Sequence, residues 1–62
     1  MKFKDTDPLE ETEEYDAIMA LLLSTNTLTI LIRRDSQWQI LGTTERLDWM
    51  FDFSWWTKID LE

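Results

Sequence analysis

The chain of 62 residues contains no histidine and no cysteine, and these two absences narrow its possible chemistry. Histidine is the commonest general base, the cysteine thiolate is a strong nucleophile, and both are usual zinc ligands. A chain without cysteine also has no disulfide framework, which agrees with a reducing compartment. We therefore expect a cytoplasmic protein that is not an enzyme, with no catalytic residue, no metal site and no cofactor.

Glycine and proline occur once each, and no hydrophobic run is long. The single glycine, Gly42, excludes phosphate-binding loops that need two or three glycines. The longest apolar run, residues 17–23, has seven residues, whereas a bilayer-spanning helix needs about 20. Acidic residues, not an apolar segment, follow Lys2 and Lys4, so no signal peptide is expected. The sequence predicts no contact with a membrane.

Positive charge is also scarce, because thirteen acidic residues outnumber six basic ones and give a net charge of −7. Such a chain repels nucleic acid and anionic membranes and favours a basic partner. Its length allows one domain, residues 1–62, with a core that is small for its surface. Four Trp, three Phe and one Tyr supply much of the apolar area that such a core needs.

The first part of the chain predicts one helix within residues 7–24, after a lead-in at residues 1–6 that is frayed or forms a short edge strand. Asp7 is a suitable cap, Pro8 suits the first turn, and Glu10 is placed to close a capping box. Apolar residues then recur at helical spacing: Tyr15, Ile18, Met19 and Leu22.

Two short strands, 27–33 and 37–42, are expected to follow as an antiparallel hairpin. Polar and apolar residues alternate along them, which is typical of strands with one buried face. A two-residue loop, Asp35-Ser36, would mix polar and apolar residues on each face. A three-residue loop, 34–36, keeps the apolar residues together by pairing Ile32 with Trp38 and Ile30 with Ile40, and it is the preferred interpretation.

A third strand is predicted over residues 47–56, because alternate residues are apolar there and aromatic residues favour strands. The tail, residues 57–62, either extends this strand or lies over an edge. The predicted fold is therefore α+β, with one N-terminal helix packed on a three-stranded antiparallel meander. The expected core combines strand and helix residues: Trp38, Ile40, Trp49, Phe51, Ile18 and Leu22.

Two surfaces are candidate partner-binding sites. The acidic residues Glu10, Glu11 and Glu14 form either an ordinary solvated helix face or a docking surface for a basic partner. On the side of the sheet away from the helix, the predicted registers place a second set of residues, which form either a contact patch or scattered exposed side chains: Leu31, Leu41, Met50 and Trp56.

These features predict a small acidic protein-binding module that occupies a surface of a larger protein, and the expected partner has a basic surface. Inhibitors, antitoxins and phage counter-defence proteins act in this way, some of them by nucleic-acid mimicry, and the analogy is one of composition. The alternative is a structural accessory subunit of a larger assembly, or a homodimer formed through the open side of the sheet. Direct binding of nucleic acid is not expected.

Overall fold

Five antiparallel strands form one sheet in the computed structural model of the chain, which describes residues 2–59. The strands are β1 (Ala17–Leu22), β2 (Thr27–Arg34), β3 (Gln37–Ile40), β4 (Arg46–Leu47) and β5 (Phe53–Ile59). Their order in the sheet is β4-β3-β2-β1-β5. The first four strands therefore follow one another across the sheet, and β5 returns to pair with β1.

The predicted helix over residues 7–24 is wrong, and with it the α+β fold class and the three-stranded meander. Only a short 3-10 turn, Pro8–Glu10, forms at its expected start, where the Asp7 carboxylate accepts a hydrogen bond from the Leu9 amide at 3.0 Å. Residues 17–22 form β1, which pairs with β2 on one side and β5 on the other. Every residue of this segment, AIMALL, is apolar. A continuous apolar run is typical of an interior strand. Ala, Met and Leu are strong helix formers, but this preference is worth less than about 1 kcal/mol per residue, and two hydrogen-bonded ladders outweigh it.

The β2–β3 hairpin has the two-residue turn Asp35-Ser36, so the predicted three-residue loop is wrong. Both turn residues have left-handed backbones, with φ of 55° and 60°. Two successive positive φ angles are the geometry of a type I′ turn, whose twist suits a hairpin. The turn fixes the register: Arg34 pairs with Gln37, Arg33 with Trp38, Ile32 with Gln39, and Leu31 with Ile40. This register differs by one residue from the predicted one, and a shift of one residue moves the side chains of one strand to the other face relative to its partner. Leu31 therefore lies on the same face as Trp38, and Ile32 lies on the opposite face.

The predicted third strand over residues 47–56 is also wrong, because a turn divides it into β4 and β5. Residues 48–52 form this turn, and Met50 has a left-handed φ of 75°. Within β5 the register shifts, because Ala20 pairs with Trp56 but Leu22 pairs with Phe53. The extra residue is a β-bulge, which places Phe53 and Trp56 on the same face although strict alternation would separate them.

Both ends of the described part of the chain lie in or beside β5. Of the tail, residues 57–59 continue β5, and the prediction for residues 60–62 lies outside the described residues. In the lead-in, Lys4 forms an antiparallel bridge with Trp56 through two backbone hydrogen bonds of 2.6 and 2.9 Å. The lead-in thus contacts the edge of the sheet that β5 would otherwise leave free.

The core lies on one side of the sheet. Its buried residues are Ile18, Ala20, Leu31, Trp38, Phe53 and Trp56, and partly buried residues pack against them: Leu9, Leu22, Ile40, Leu47 and Trp49. The predicted core residues Ile18 and Trp38 are thus buried, whereas Phe51 is 84% exposed. Leu31 and Trp56 were expected on the open side, but neither side chain is exposed. The two-residue hairpin turn places Leu31 on the core side of the sheet, and the β5 bulge places Trp56 there.

Candidate functional site

The side of the sheet opposite the core is apolar in its two central strands. Directly opposed residues of an antiparallel pair share a face, and here Met19 opposes Ile30 while Leu21 opposes Leu28. We call this surface the open face and define it by six residues: Met19, Leu21, Leu28, Ile30, Ile32 and Trp55. Leu28 is 56% exposed and Trp55 is 47% exposed. A sheet face that meets only water is normally polar, so this surface is unusual for a lone domain.

An apolar groove lies at one end of the open face. It has a volume of about 410 Å³ and is lined by Phe3, Leu21, Leu28 and Trp55. The β5 bulge turns Trp55 away from the core while its neighbour Trp56 points into it. The Lys4–Trp56 bridge brings the adjacent Phe3 to the same edge. The groove therefore depends on the β5 bulge and the Lys4–Trp56 bridge, and the alternation of polar and apolar residues in the sequence indicates neither of them.

The core side of the sheet is covered by an acidic segment, which we call the covering segment and define as residues 5–16. The Arg33 guanidinium holds its middle by donating hydrogen bonds to the carbonyl oxygens of Leu9, at 3.2 Å, and Thr12. The Trp56 indole holds its start by donating to the Thr6 carbonyl oxygen at 2.6 Å. Both donors extend from core-side positions of the sheet. The covering segment therefore lies on the side away from the open face.

Two carboxylates attach the covering segment to its neighbours, Glu11 to Lys4 in the lead-in and Asp16 to Lys58 in β5. The Lys4 ammonium group lies 2.6 Å from Glu11, and its hydrogen bond, with a further one from Thr6, lowers the pKa of the Glu11 carboxyl. The pKa of Asp16 is also lowered, mainly by the hydrogen bond that its carboxylate accepts from the Glu13 amide and then by the hydrogen bond from Lys58, which is 3.1 Å away. The negative charges of Glu11 and Asp16 are therefore paired with lysines of the same chain.

Charge is distributed unequally between the two sides of the sheet. Seven carboxylates lie in the covering segment: Asp5, Asp7, Glu10, Glu11, Glu13, Glu14 and Asp16. Across the described strands, the positions on the open-face side hold Arg34 and Arg46 and no carboxylate. The strand positions on the open-face side of this acidic molecule are therefore free of negative charge within the part of the chain that the structure describes.

The seven residues that the sequence singled out do not form one site. Glu10, Glu11 and Glu14 lie together in the covering segment, although not on a helix. Glu11 is engaged with Lys4, and Glu14 accepts a hydrogen bond from the Asp35 amide at 2.8 Å. The other four are dispersed: Leu31 and Trp56 are in the core, and the exposed Leu41 and Met50 follow β3 and β4.

Sequence reasoning missed the open face, since all six of its residues were assigned to the buried side by alternation and helical periodicity. Met19 and Leu21 were placed on the apolar helix stripe, Leu28, Ile30 and Ile32 on the buried side of the hairpin, and Trp55 on the buried side of the third strand. The available signal was the unbroken apolar run at residues 17–23, which is typical of an interior strand. Such a strand has apolar side chains on both sides of its sheet.

A metal site and a membrane-spanning helix are both absent from the described residues. Among residues 2–59, no three Asp or Glu side chains are grouped so that they could hold a metal ion. No helix formed by these residues has the length and apolar character of a membrane span. In comparisons with known proteins, no family model, no curated protein and no solved structure matches the chain.

Proposed function

We propose that the chain is a small non-enzymatic protein-interaction module that contacts another protein surface through its open face. The exposure of Leu28 and Trp55 beside the apolar groove is the observation that supports this proposal most directly. Tryptophan is enriched among the residues that dominate binding energy, and it acts best beside an apolar pocket. Burial of the open face would remove apolar area from water, which favours association.

The arrangement of the carboxylates supports a non-enzymatic role. Asp7, Asp16 and Asp52 each accept a hydrogen bond from a backbone amide at a turn, at 2.8–3.0 Å. Glu11 is paired with Lys4 at the surface. These groups therefore stabilise turns and the covering segment, and none of them lines the apolar groove.

A second candidate function uses the covering segment as an acidic docking surface for a larger protein, as in inhibitors, antitoxins and nucleic-acid mimics. The observation in its favour is the concentration of seven carboxylates in residues 5–16. Glu10 and Glu13 are exposed and are in no ion pair with any residue from 2 to 59. Charge of this kind accelerates association with a basic surface and makes the rate depend on salt.

Carbene footprinting tests the main proposal without knowledge of the partner. The purified protein is labelled when dilute, when concentrated, and in an extract of its native host. We expect labelling of Leu28 and Trp55 to decrease when a protein covers the open face, while Phe51, which is more exposed and lies outside this face, keeps its labelling. Unchanged labelling of the open face under all three conditions would contradict the proposal.

The second candidate is tested by replacing Glu10 and Glu13 with Lys, because these side chains are exposed and Glu11 and Glu14 are needed within the fold. Slower, salt-independent association with a captured basic protein would support it, and unchanged kinetics would exclude it. A role as an accessory subunit of a larger assembly would use the open face in the same way as the main proposal. The cytoplasmic location stays a prediction, which fractionation of the native host tests.

A further inference from the structure

We propose that the partner of the open face is a second copy of this chain, so that two sheets pack face to face in an isologous dimer. This inference rests on the proposed function, because it names the occupant of the same surface. Each copy contributes the open face and its groove. The dimer thereby becomes a two-layered sheet whose interior is formed by apolar residues from both copies.

The open face has an apolar composition that suits packing against a second copy. The directly opposed pairs Met19–Ile30 and Leu21–Leu28 form an apolar area without a polar side chain across the middle of the sheet. Interleaved aliphatic side chains from two such faces are the usual contents of a β-sandwich core. The exposed indole of Trp55, beside a groove lined by Phe3, gives each copy both a projection and a recess.

The size of the sheet is compatible with a dimer interface. The two longest dimensions of the molecule, 26 and 25 Å, agree with the plane of a sheet of five strands with up to eight residues each. One face of this size approaches the roughly 800 Å² that each partner contributes to a stable interface of standard size. A dimer would therefore use the whole side of the sheet, of which the six open-face residues are the apolar part.

Charge permits this association although the chain is acidic. Two molecules with a net charge of −7 repel each other in most orientations. Face-to-face packing reduces this repulsion, because the open-face side of the described strands has no carboxylate and both covering segments lie on the outer sides of the dimer. With layers about 10 Å apart, the covering segments lie on the order of 30 Å from each other, several times the Debye length of about 8 Å.

Sedimentation equilibrium over a wide concentration range tests the inference, with Leu28→Glu as the disrupting variant and Phe51→Glu as its control. Both substitutions add one negative charge at an exposed apolar residue, but Phe51 lies in the 48–52 turn, outside the open face. We expect the wild type and Phe51→Glu to dimerise equally. We expect Leu28→Glu to raise the dissociation constant at least tenfold while its circular dichroism at low concentration is unchanged.

The orientation of the dimer is tested with spin labels, which the absence of native cysteine makes simple. A label at Gln37→Cys, which pairs with Arg34 on the open-face side but is not one of the six open-face residues, should give a shorter distance between copies than a label at Glu13→Cys in the covering segment. The reverse order of the two distances would overturn face-to-face packing, as would equal weakening by Leu28→Glu and Phe51→Glu.

A monomeric wild type at all concentrations would overturn the second copy as partner. Footprinting then distinguishes a failure of the dimer proposal from a failure of the proposed function. Protection of Leu28 and Trp55 only in host extract would keep the proposed function and assign the open face to a different protein, such as one presenting an acidic amphipathic helix to Arg34 and Arg46. No protection in any condition would overturn both proposals.

Discussion

The adjacent residues Trp55 and Trp56 provide a direct test of the fold, because they have the same side chain in opposite environments. Trp56 is not exposed, donates a hydrogen bond to the Thr6 carbonyl oxygen and lies opposite Ala20. Trp55 is 47% exposed on the open face. Strict alternation along a regular strand assigns the two residues the other way round, so the pair of alanine variants tests the β5 bulge.

The expected magnitudes differ several-fold. Replacing a buried Trp with Ala destabilises a protein by about 3–5 kcal/mol, and the unpaired Thr6 carbonyl adds on the order of 1 kcal/mol. A domain of this size is stable by roughly 3–9 kcal/mol in total. Trp56→Ala should therefore leave much of the protein unfolded. Trp55→Ala removes a side chain that is already half in water, and we expect a loss of about 1 kcal/mol or less.

Urea denaturation followed by far-ultraviolet circular dichroism measures both variants. The measurement is made at low protein concentration, because dimerisation would add a concentration-dependent contribution that Trp55→Ala also removes. Trp56→Phe serves as a milder variant that retains an aromatic ring but loses the hydrogen bond to Thr6, with an expected loss of about 1–2 kcal/mol. If Trp55→Ala is the more destabilised of the two alanine variants, the bulge and the core assignment are wrong.

Three further predictions follow from the contacts of the covering segment and the turns. Arg33→Met should lower the free energy of unfolding by about 1.5–3 kcal/mol and increase amide exchange in the covering segment, because two carbonyl oxygens lose a charged donor. Ser36→Gly should raise the urea midpoint, equivalent to about 0.5–1 kcal/mol, because Ser36 has a left-handed φ, whereas Thr44→Gly in an exposed loop should not. The lowered pKa of Glu11 implies a stabilisation that is present at neutral pH and lost as the pH falls below the ordinary glutamate range, and Lys4→Gln should weaken this part of the pH dependence of the melting temperature.

The sequence was informative where local chemistry decides the structure. The capping role of Asp7 follows from its position before Pro8, and the structure retains it although the helix is reduced to one 3-10 turn. The positions of β2 and β3 overlap the predicted strands 27–33 and 37–42, because β-branched and aromatic residues mark them. Local preference could not show that residues 17–22 pair on both sides with strands distant in sequence.

The faces of the sheet were assigned wrongly for a related reason. A strand such as β2 has apolar residues at both odd and even positions, including Leu31 on one side and Ile30 on the other. Its periodicity therefore does not identify the side that packs inwards. That side is fixed by the two left-handed residues of the Asp35-Ser36 turn. Gly or Asn usually marks such a turn in a sequence, and this turn contains neither.

The apolar residues on both sides of the central strands have a further implication for the molecule as a whole. Sheets that are apolar on both faces occur where both faces are covered. The part of the chain that the structure describes supplies one cover, the segment of residues 5–16 held by Arg33 and Trp56. If the second cover is another copy of the chain, Leu28→Glu should convert a dimer into a folded monomer, and Arg33→Met should loosen the covering segment without preventing dimerisation. The two sides of the sheet would then respond independently, as expected for layers that share only a sheet.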